Sequence, residues 1–217
     1  MFKGAAVPEG SAADLSTPAR IRDAAIVVFG ERGFGVGVRA IAQAAGVSPG
    51  LVNHHFGSKD GLRQACDEHV RATIRTVKAE HVRHPTPDAT LRALTEIEEY
   101  APYIAYLTQS FQAGGTLMVS MFEQMTADVE AYLALGVEAG TLRAPTDPKA
   151  MARFMAVHNG GGFFLFLQLS AARNDGPVDY RKALREYADQ MMAPAIEIYT
   201  HGLFTDSTML DTMLAEE

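Results

Sequence analysis

The chain has 217 residues, of which 47% are hydrophobic, so it can bury one large core or two small ones. Its formal net charge of −7 excludes a simple nucleic-acid coat, and its single cysteine excludes an intramolecular disulfide framework and fits a reducing compartment. The charge is uneven, because residues 15–80 carry nine Lys and Arg against six Asp and Glu, whereas residues 81–217 carry nine against eighteen.

The N-terminal residues 1–14 contain no continuous apolar run, so we expect neither a signal peptide nor a buried anchor there. Their Gly, Ala, Pro and Ser content predicts a mobile arm. Thr17-Pro18 then predicts a helix start, with an oxygen cap followed by proline at the first helical position. The glycine-rich run 33–37 is predicted to be a loop and not a dinucleotide-binding turn, because a helix precedes it and its third glycine is misplaced.

Residues 38–62 are the most informative segment, because they compress two short helices and the start of a third into one short stretch. The first of these helices has apolar residues at helical spacing, namely Val38, Ile41, Ala42 and Ala45. Gly46 is predicted to end it, since glycine tolerates the left-handed conformation of a tight helix exit. Ser48-Pro49 then starts a second helix over 49–56. This arrangement is typical of a DNA-reading helix-turn-helix.

The helix over 49–56 is too short to bury much surface, so its outer residues are free to bind something else. At 100° per residue, Val52, His55 and Phe56 are predicted to point inward. The residues predicted to point outward are Gly50, Leu51, Asn53 and His54. In a major groove, Asn53 can pair with an adenine edge and Leu51 can contact a thymine methyl group.

Two flanking positions suit the DNA backbone. The hydroxyl and free amides at Ser48 can bind a phosphate. Lys59, at the start of a helix capped by Ser58, can bind the DNA phosphate backbone through its charge without recognising the base sequence. The predicted DNA-binding residues are Arg39, Ser48, Pro49, Gly50, Leu51, Asn53, His54 and Lys59. Residues 46–50 also fit the G-x-S-x-G nucleophile elbow of hydrolases, but that motif needs a strand before its serine and the residues here are predicted to be helical.

The rest of the chain is predicted to be a series of helices, because no stretch alternates apolar and polar residues. The helix from Lys59 should run to about Arg83, and prolines at 84–88 mark a boundary. The predicted units are therefore an arm over 1–14, a helix-turn-helix domain over 15–83 and a larger helical domain over 84–217. Thr86-Pro87 and Asp147-Pro148 repeat the cap-and-proline signal. Helices are expected near 87–101, 103–112, 117–139, 148–172 and 179–201, with breaks at Pro102, Gly114-Gly115, Gly140 and 174–177 and a kink at Pro194.

The larger domain is rich in aromatic and methionine residues, which by default form a core. An apolar ligand pocket between helices is the alternative, because methionine adapts to varied shapes. The candidate pocket residues are Tyr103, Phe111, Met118, Phe122 and Met125, with His158 and Asn159 either as polar ligand contacts or as buried, satisfied groups.

The segment 154–172 contains no charged residue and is long enough to suggest a membrane span. Its polar residues and three consecutive glycines are unfavourable in lipid, so we expect a helix buried by its own domain and a second subunit, and no membrane partner. Neither His81-x-x-His84 nor His54-His55 has converging Cys or carboxylate partners. We therefore expect no metal site and no cofactor.

The pattern V-R-x-I-A-x-x-A-G-V-S-x-G followed by H-H-F-x-S-K-x-x-L resembles the tetracycline-repressor (TetR) family of bacterial regulators. The resemblance covers roughly residues 17–75 and includes the preceding first helix. Two positions depart from the family pattern. Gly37 stands where the family usually has a capping Ser or Thr, and Asn53 replaces a common tyrosine. The missing hydroxyl at position 37 removes an expected phosphate contact, and the family's contacts at position 53 cannot be carried over unchanged.

The resemblance implies that the larger helical domain binds an inducing small molecule and dimerises through a four-helix bundle of the last two long helices. The candidate interface residues are Phe154, Gly161, Gly162, Phe166, Leu169, Met191 and Ile198. We therefore expect a cytoplasmic, nucleoid-associated homodimer that binds a palindromic double-stranded operator, most simply as a repressor released by a small, largely apolar molecule. A regulator without such an effector is the alternative. A helical enzyme is a third interpretation, which lacks a nucleophile–base or metal constellation, so we do not expect an enzyme.

Overall fold

The computed structural model describes residues 16–174 and 176–215 of the chain. The predicted arm over 1–14 lies outside the described residues. The described part forms helices and no strand, which confirms the predicted all-α fold. Its helices are α1 (Thr17–Arg32), α2 (Val38–Ala45), α3 (Pro49–Phe56), α4 (Lys59–Arg83), α5 (Pro87–Thr95), α6 (Ala101–Gln112), α7 (Gly115–Glu138), α8 (Pro148–Met155), α9 (Gly161–Asn174), α10 (Tyr180–His201) and α11 (Thr208–Ala215).

Helices α1 to α4 pack around one apolar core. Its fully buried members include Ile21, Ala25, Phe29, Ile41, Val52, Leu62, Cys66 and Tyr106. Tyr106 comes from α6, beyond the predicted boundary at 84–88. Its ring meets Phe34 edge-on with ring centroids 5.4 Å apart. The helix-turn-helix core is therefore completed by a side chain from the following part of the chain.

The contact between α1 and α6 depends on a small residue in each helix. A Cβ added at Gly30 would lie 2.9 Å from the Ala105 Cβ and 3.1 Å from the Tyr106 backbone nitrogen. Real side-chain carbons do not approach so closely without a shift of their neighbours. Glycine at position 30 therefore permits α6 to lie directly against α1.

A second, smaller core lies between α7 and α8. Its buried residues are Val129, Leu133, Ala152 and Ala156, with Phe122, Met125, Tyr132 and Met155 packed around them. Two of the four buried residues are alanines, so this core buries less side-chain volume than the first. The larger part of the chain also buries Leu167 of α9 and Ala183, Leu184 and Ala188 of α10 outside this core.

Two helix starts differ from the sequence-based predictions. α1 begins at Thr17 itself, with Ser16 at the cap position and no side-chain hydrogen bond, so the oxygen cap predicted from Thr17 is absent. Pro102 does not break a helix but lies in the first turn of α6, where its missing N–H costs nothing. The helix expected over 87–101 instead ends at Thr95 and is followed by a 3₁₀ turn, Ile97–Tyr100.

The C-terminal half differs from the predictions in two further places. The single helix predicted over 148–172 is divided by a π-helical turn, Ala156–Gly160, between α8 and α9. α11 was not predicted at all. Pro194 lies inside α10 as expected. Within the described residues, no helix combines the length and apolarity needed to cross a membrane.

Candidate nucleic-acid interface

The turn between α2 and α3 has the predicted construction. Gly46 adopts a left-handed conformation (φ 66°, ψ 36°) and its N–H donates to the Gln43 carbonyl, while the Val47 N–H donates to the Ala42 carbonyl. Ser48 caps α3, because its Oγ accepts a hydrogen bond of 3.3 Å from the Leu51 N–H. These bonds fix the angle at which α3 leaves α2.

α3 is anchored by one fully buried residue and presents polar groups to solvent. Val52 has no exposed surface, whereas Gly50, Asn53 and His54 are exposed as predicted. Leu51 is only half-buried, so part of its side chain remains accessible. The outer face of α3 therefore carries amide, imidazole and apolar groups that a major groove can meet.

The prediction that His55 points inward is wrong, because its side chain is exposed. Val52 and the half-buried Phe56 already fill the space below α3. Burying an imidazole beside them without a partner would cost its hydration. His55 instead lies next to His54, with ring centroids 5.2 Å apart. The exposed end of α3 thus carries two histidines where one was expected.

The residues predicted to bind phosphate flank α3 on both sides. Arg39 lies exposed in the first turn of α2, whose cap residue Gly37 makes no side-chain hydrogen bond, as expected for glycine. Lys59 is the first residue of α4, and the cap of that helix is Ser58, whose Oγ accepts a hydrogen bond of 3.0 Å from the Gly61 N–H. One cation therefore precedes α3 along the chain and one follows it.

Gly61 is a structural requirement of this interface that the sequence analysis did not identify. A Cβ at position 61 would clash with the carbonyl oxygen of Phe56. The glycine lets the first turn of α4 approach the end of α3. The only sequence signal was a glycine in the first turn of a helix, where it disfavours helix formation without giving an apparent benefit.

A hydrogen-bonded group joins α4 to α6 behind the helix-turn-helix. The Tyr106 hydroxyl donates to Asp67 Oδ1 at 2.6 Å. Burial raises the pKa of Asp67, and the hydrogen bond from Tyr106 and the charge of Arg63 lower it in part. Burial also raises the pKa of Tyr106. The phenol is therefore the proton donor and the carboxylate the acceptor in this pair.

Arg63 lies beside this pair in an unusual environment. Its guanidinium carbon lies 4.0 Å from the centroid of the Phe34 ring, and its Nε and Nη2 are buried without a hydrogen-bond partner in the described part of the chain. The aromatic face partly replaces the missing acceptors, since a ring attracts a cation placed over it. The loop before α2 is thereby tied to α4.

A second link connects α4 to α7. Asp128 accepts contacts from two arginines of α4, with Arg71 Nε at 3.4 Å and Arg75 Nη1 at 3.7 Å. Further along, the Thr141 hydroxyl donates to the Val82 carbonyl at 2.6 Å. α4 therefore contacts the larger domain along its second half, so a displacement of α7 can be transmitted to the helix-turn-helix.

The candidate pocket residues do not lie together. Phe122 and Met125 pack on the core between α7 and α8, whereas Tyr103 packs against the N-terminal core, with its ring 6.1 Å from that of His69. Met118 is exposed, and Phe111 is half-buried with its ring 5.2 Å from that of Phe164. Tyr103 therefore belongs to the N-terminal core, whereas Phe122 and Met125 belong to the core between α7 and α8.

His158 and Asn159 lie in the π-helical turn and are exposed, so the interpretation of both as buried groups is wrong. The His158 ring stacks on Phe154 with 5.3 Å between centroids. The Tyr199 hydroxyl of α10 donates to Asn159 Oδ1 at 2.9 Å. Both polar groups are thus exposed in the π turn, where Asn159 is bonded to α10 and His158 packs on α8.

The candidate dimer residues form an open apolar surface on α8, α9 and α10. Phe154 is 59% exposed, and Leu169, Met191 and Ile198 are each at least 40% exposed. Cβ atoms added at Gly161 and Gly162 would meet nothing within 4 Å. Phe166 is half-buried, with its ring against Tyr187. Within one chain this surface is uncovered, and the sequence predicted that a second subunit covers part of it.

The described residues include no group of three or more His, Cys, Asp or Glu that could hold a metal ion. Cys66 is buried, and desolvation raises the pKa of its thiol to about 12. Its Sγ lies 3.7 Å from the Arg22 carbonyl oxygen. The thiol is therefore protonated at neutral pH and packs as a core group.

Comparisons with known proteins give consistent results along most of the chain. A family model described as "Bacterial regulatory proteins, tetR family" matches residues 21–66, and one described as "Tetracyclin repressor-like, C-terminal domain" matches residues 98–205. The HTH-type transcriptional regulatory protein RaaS of Mycobacterium tuberculosis is 51% identical over 204 residues, which cover 94% of each chain. The HTH-type transcriptional regulator BetI of Burkholderia thailandensis is 28% identical over 191 residues, or 81% of this chain and 93% of BetI.

Two solved structures share the architecture. One, described as "Molecular basis for control of antibiotic production by a bacterial hormones", is 26% identical, with a TM-score of 0.54, and the match covers 82% of this chain and 96% of the other. The SmeT–triclosan complex is 20% identical, with a TM-score of 0.53 and coverage of 89% and 97%. At that identity SmeT supports the fold alone.

Proposed function

The chain belongs to the TetR family of DNA-binding transcriptional regulators, and on this premise we propose that it is a homodimeric repressor of a palindromic operator, released by a small, largely apolar molecule. The action we propose is on chromosomal DNA, so the protein would work in the bacterial cytoplasm in association with the nucleoid. Its relatives in the comparisons are transcriptional regulators, and we propose no enzymatic step.

The observation that carries the DNA-binding mode is the geometry of α3. Its N-terminus is capped by Ser48, its inner side is held by Val52, and its exposed side carries Asn53 and His54. In this proposal α3 enters the major groove, Asn53 pairs with an adenine edge, and Leu51 contacts a thymine methyl group. Pro49, Gly50 and the Ser48 cap approach the backbone.

The distribution of charge along the chain supports the placement of α3 in the major groove. Residues 15–80 have a net positive charge, whereas the remaining chain is acidic. Arg39 and Lys59 flank α3, so phosphates on either side of the groove would meet a cation. The excess of positive charge is small. Two helix-turn-helix domains bound to one operator would double the number of phosphate contacts. Homodimerisation therefore supplies affinity as well as palindromic symmetry.

The proposed dimer uses the open apolar surface on α8, α9 and α10, where Phe154, Leu169, Met191 and Ile198 are exposed. Large exposed apolar patches on a soluble chain commonly mark protein interfaces. Gly161 and Gly162 would let the helices of two chains approach closely. Family members act as dimers, which supports the assignment of this surface.

The proposed effector would act on the larger domain around Phe122 and Met125, whose aromatic and thioether groups suit an apolar molecule. The solved structure that concerns "control of antibiotic production by a bacterial hormones" supports a response to a chemical signal. Converting 99% DNA-competent dimers to 1% requires about 5.5 kcal/mol of difference in effector affinity between the two states.

This proposal is tested by measuring operator affinity with and without a saturating candidate effector, and effector affinity with and without operator. The two ratios must be equal, because coupling between two binding sites is reciprocal. If a bound effector leaves operator affinity unchanged, that molecule is not an inducer. If no sequence-specific DNA binding is found at all, the assigned role of α3 is refuted.

A further inference from the structure

The C-terminal segment after α10 carries an apolar helix that the rest of the chain leaves uncovered. All described residues from 201 to 215 are exposed. α11 begins after Asp206, whose Oδ1 accepts a hydrogen bond of 2.9 Å from the Thr208 N–H. At 100° per residue one side of α11 carries four apolar residues, Met209, Leu210, Met213 and Leu214, and the other carries Thr208, Asp211 and Thr212.

An eight-residue helix is unstable in water on its own, so the apolar side of α11 needs a surface to cover it. Neither of the two cores includes a residue of α11. Leu203 and Phe204, which join α10 to α11, are 77% and 75% exposed and extend the same apolar surface. The covering surface therefore has to come from outside the described chain.

We infer that α11 docks on a second copy of this chain and clasps the dimer. This inference rests on the proposed homodimer. Continuity is the first reason, because the exposed apolar residues Met191 and Ile198 of α10 belong to the proposed interface and lead directly to Leu203 and Phe204. A helix attached at the end of that surface would lie beside a partner chain bound there.

A groove between α9 and α10 of the partner can receive the helix. It has a volume of about 300 Å³ and its lining includes Phe166, Leu169, Met191 and Arg173. Residues 202–217 contain four acidic residues and no Lys or Arg. Arg173 of α9 is exposed at the groove and offers a complementary charge, whereas Glu186 of α10 lines the same groove and favours an acidic side that lies toward α9. The docked helix would bury its apolar side on Leu169 and Met191, so that these two residues of the proposed interface contact α11 of the partner and not its α9 or α10, and its acidic side would lie near Arg173.

The family model for the C-terminal domain ends at residue 205, before α11 begins. α11 therefore lies outside the region that the family model covers. The effect of the clasp would be a tighter dimer, and through it a higher occupancy of the operator at low protein concentration.

The first test measures the dimer dissociation constant by sedimentation velocity for the full chain and for a chain ending at Gly202. Removing two copies of the apolar helix should raise the dissociation constant about 100-fold. Leu210→Glu should raise it about 10-fold, whereas Thr212→Glu, which adds the same charge on the opposite side, should change it less than about 2-fold. Helical circular dichroism confirms that each variant is folded, and no core residue is altered.

The second test identifies the docking surface. Chains carrying Leu210→Cys and chains carrying Leu169→Cys, with different affinity tags, are mixed and oxidised. A disulfide between the two tagged chains supports the clasp, and wild-type chains provide the control for Cys66. A disulfide that forms only within one chain carrying both substitutions shows that α11 folds back on its own α9, which overturns the inference.

The two proposals fail in different ways. A full chain that remains monomeric at all concentrations refutes the homodimer and the clasp together. A full chain that dimerises as tightly without residues 203–217 refutes the clasp alone. If the segment instead binds neutral phosphatidylcholine vesicles while dimerisation is unaffected by its removal, a membrane surface covers α11 and the clasp is wrong.

Discussion

At the residue scale, Asn53 of α3 and Lys59 of α4 have different proposed roles in DNA binding. Asn53 has an amide that can both donate and accept, which is the requirement for pairing with an adenine edge. Lys59 has a charge without directional preference and sits at the start of α4. Reading of sequence and attraction to phosphate are thus assigned to separate residues, which makes them separable by mutation.

Asn53→Ala should relax the preference at one base pair of each half-site, at a cost of about 1–3 kcal/mol for the preferred operator, because a bidentate base contact is lost. Lys59→Ala should weaken binding to all sequences and reduce the slope of log affinity against log salt by roughly one. Fluorescence anisotropy on operator and random duplexes measures both effects. Equal losses on specific and random DNA for Asn53→Ala would contradict its base-reading role.

Tyr106→Phe removes the hydroxyl that donates to Asp67, and the fold should lose about 1–3 kcal/mol because a half-buried carboxylate loses its partner. The pKa of Asp67, already raised by burial, should rise further. A carboxyl group with a raised native pKa binds its proton more tightly when folded, so its contribution favours folding more as pH falls through that pKa toward the unfolded value.

Carboxyl carbon NMR titration of Asp67 and urea unfolding at several pH values measure these effects. Tyr103→Phe is the matched control, because Tyr103 packs on the same core without a hydrogen bond to Asp67 among the described contacts. An Asp67 pKa that falls or stays constant in Tyr106→Phe would contradict the assigned donor and acceptor.

Cys66 should be inert in the native protein, because its thiol is buried and its pKa is raised to about 12. Ellman's reagent at pH 8 should react with one thiol per chain only after denaturation. Rapid stoichiometric reaction of the folded protein would instead indicate a redox-active site.

At the element scale, the sequence predicted turns and helix ends correctly where a single residue determines the local backbone conformation. Gly46 and Ser48 predicted the turn and the cap that begin α3, and both are present. His55 was misplaced because periodicity alone does not show how little core lies under a two-turn helix. The π turn Ala156–Gly160 has no distinctive sequence pattern, and α11 is short enough that its four apolar residues gave no sustained period.

The contact between α1 and α6 should be sensitive to one methyl group. Gly30→Ala should lower the free energy of unfolding by about 1–2 kcal/mol, because overpacking against Ala105 exceeds the gain of about 1 kcal/mol from helix propensity. Gly50→Ala is the matched control, since a Cβ there meets only Ser48 Oγ at 3.9 Å. Urea denaturation measures both variants. Equal stability of Gly30→Ala and the unmodified chain would contradict the close approach of the two helices.

At the scale of the whole molecule, the helix-turn-helix is not an independent unit. Tyr106 of α6 lies in its core, and Asp128 of α7 holds Arg71 and Arg75 of α4. The sequence located the boundary at 84–88 from its prolines, but long-range packing across that boundary has no local signature. The candidate pocket residues lie apart because their packing also depends on long-range contacts. Residues close in sequence, such as Tyr103 and Phe111, face different parts of the fold.

The central claim, that a dimer reads DNA with α3 of each chain, is tested most directly by selecting bound sites from a pool of random duplex DNA. We expect an inverted repeat whose two half-sites lie about one helical turn apart or a multiple of it, and whose preference at one symmetric pair of positions disappears in Asn53→Ala. Recovery of an unrepeated site, or of the same full preference with Asn53→Ala, would contradict it.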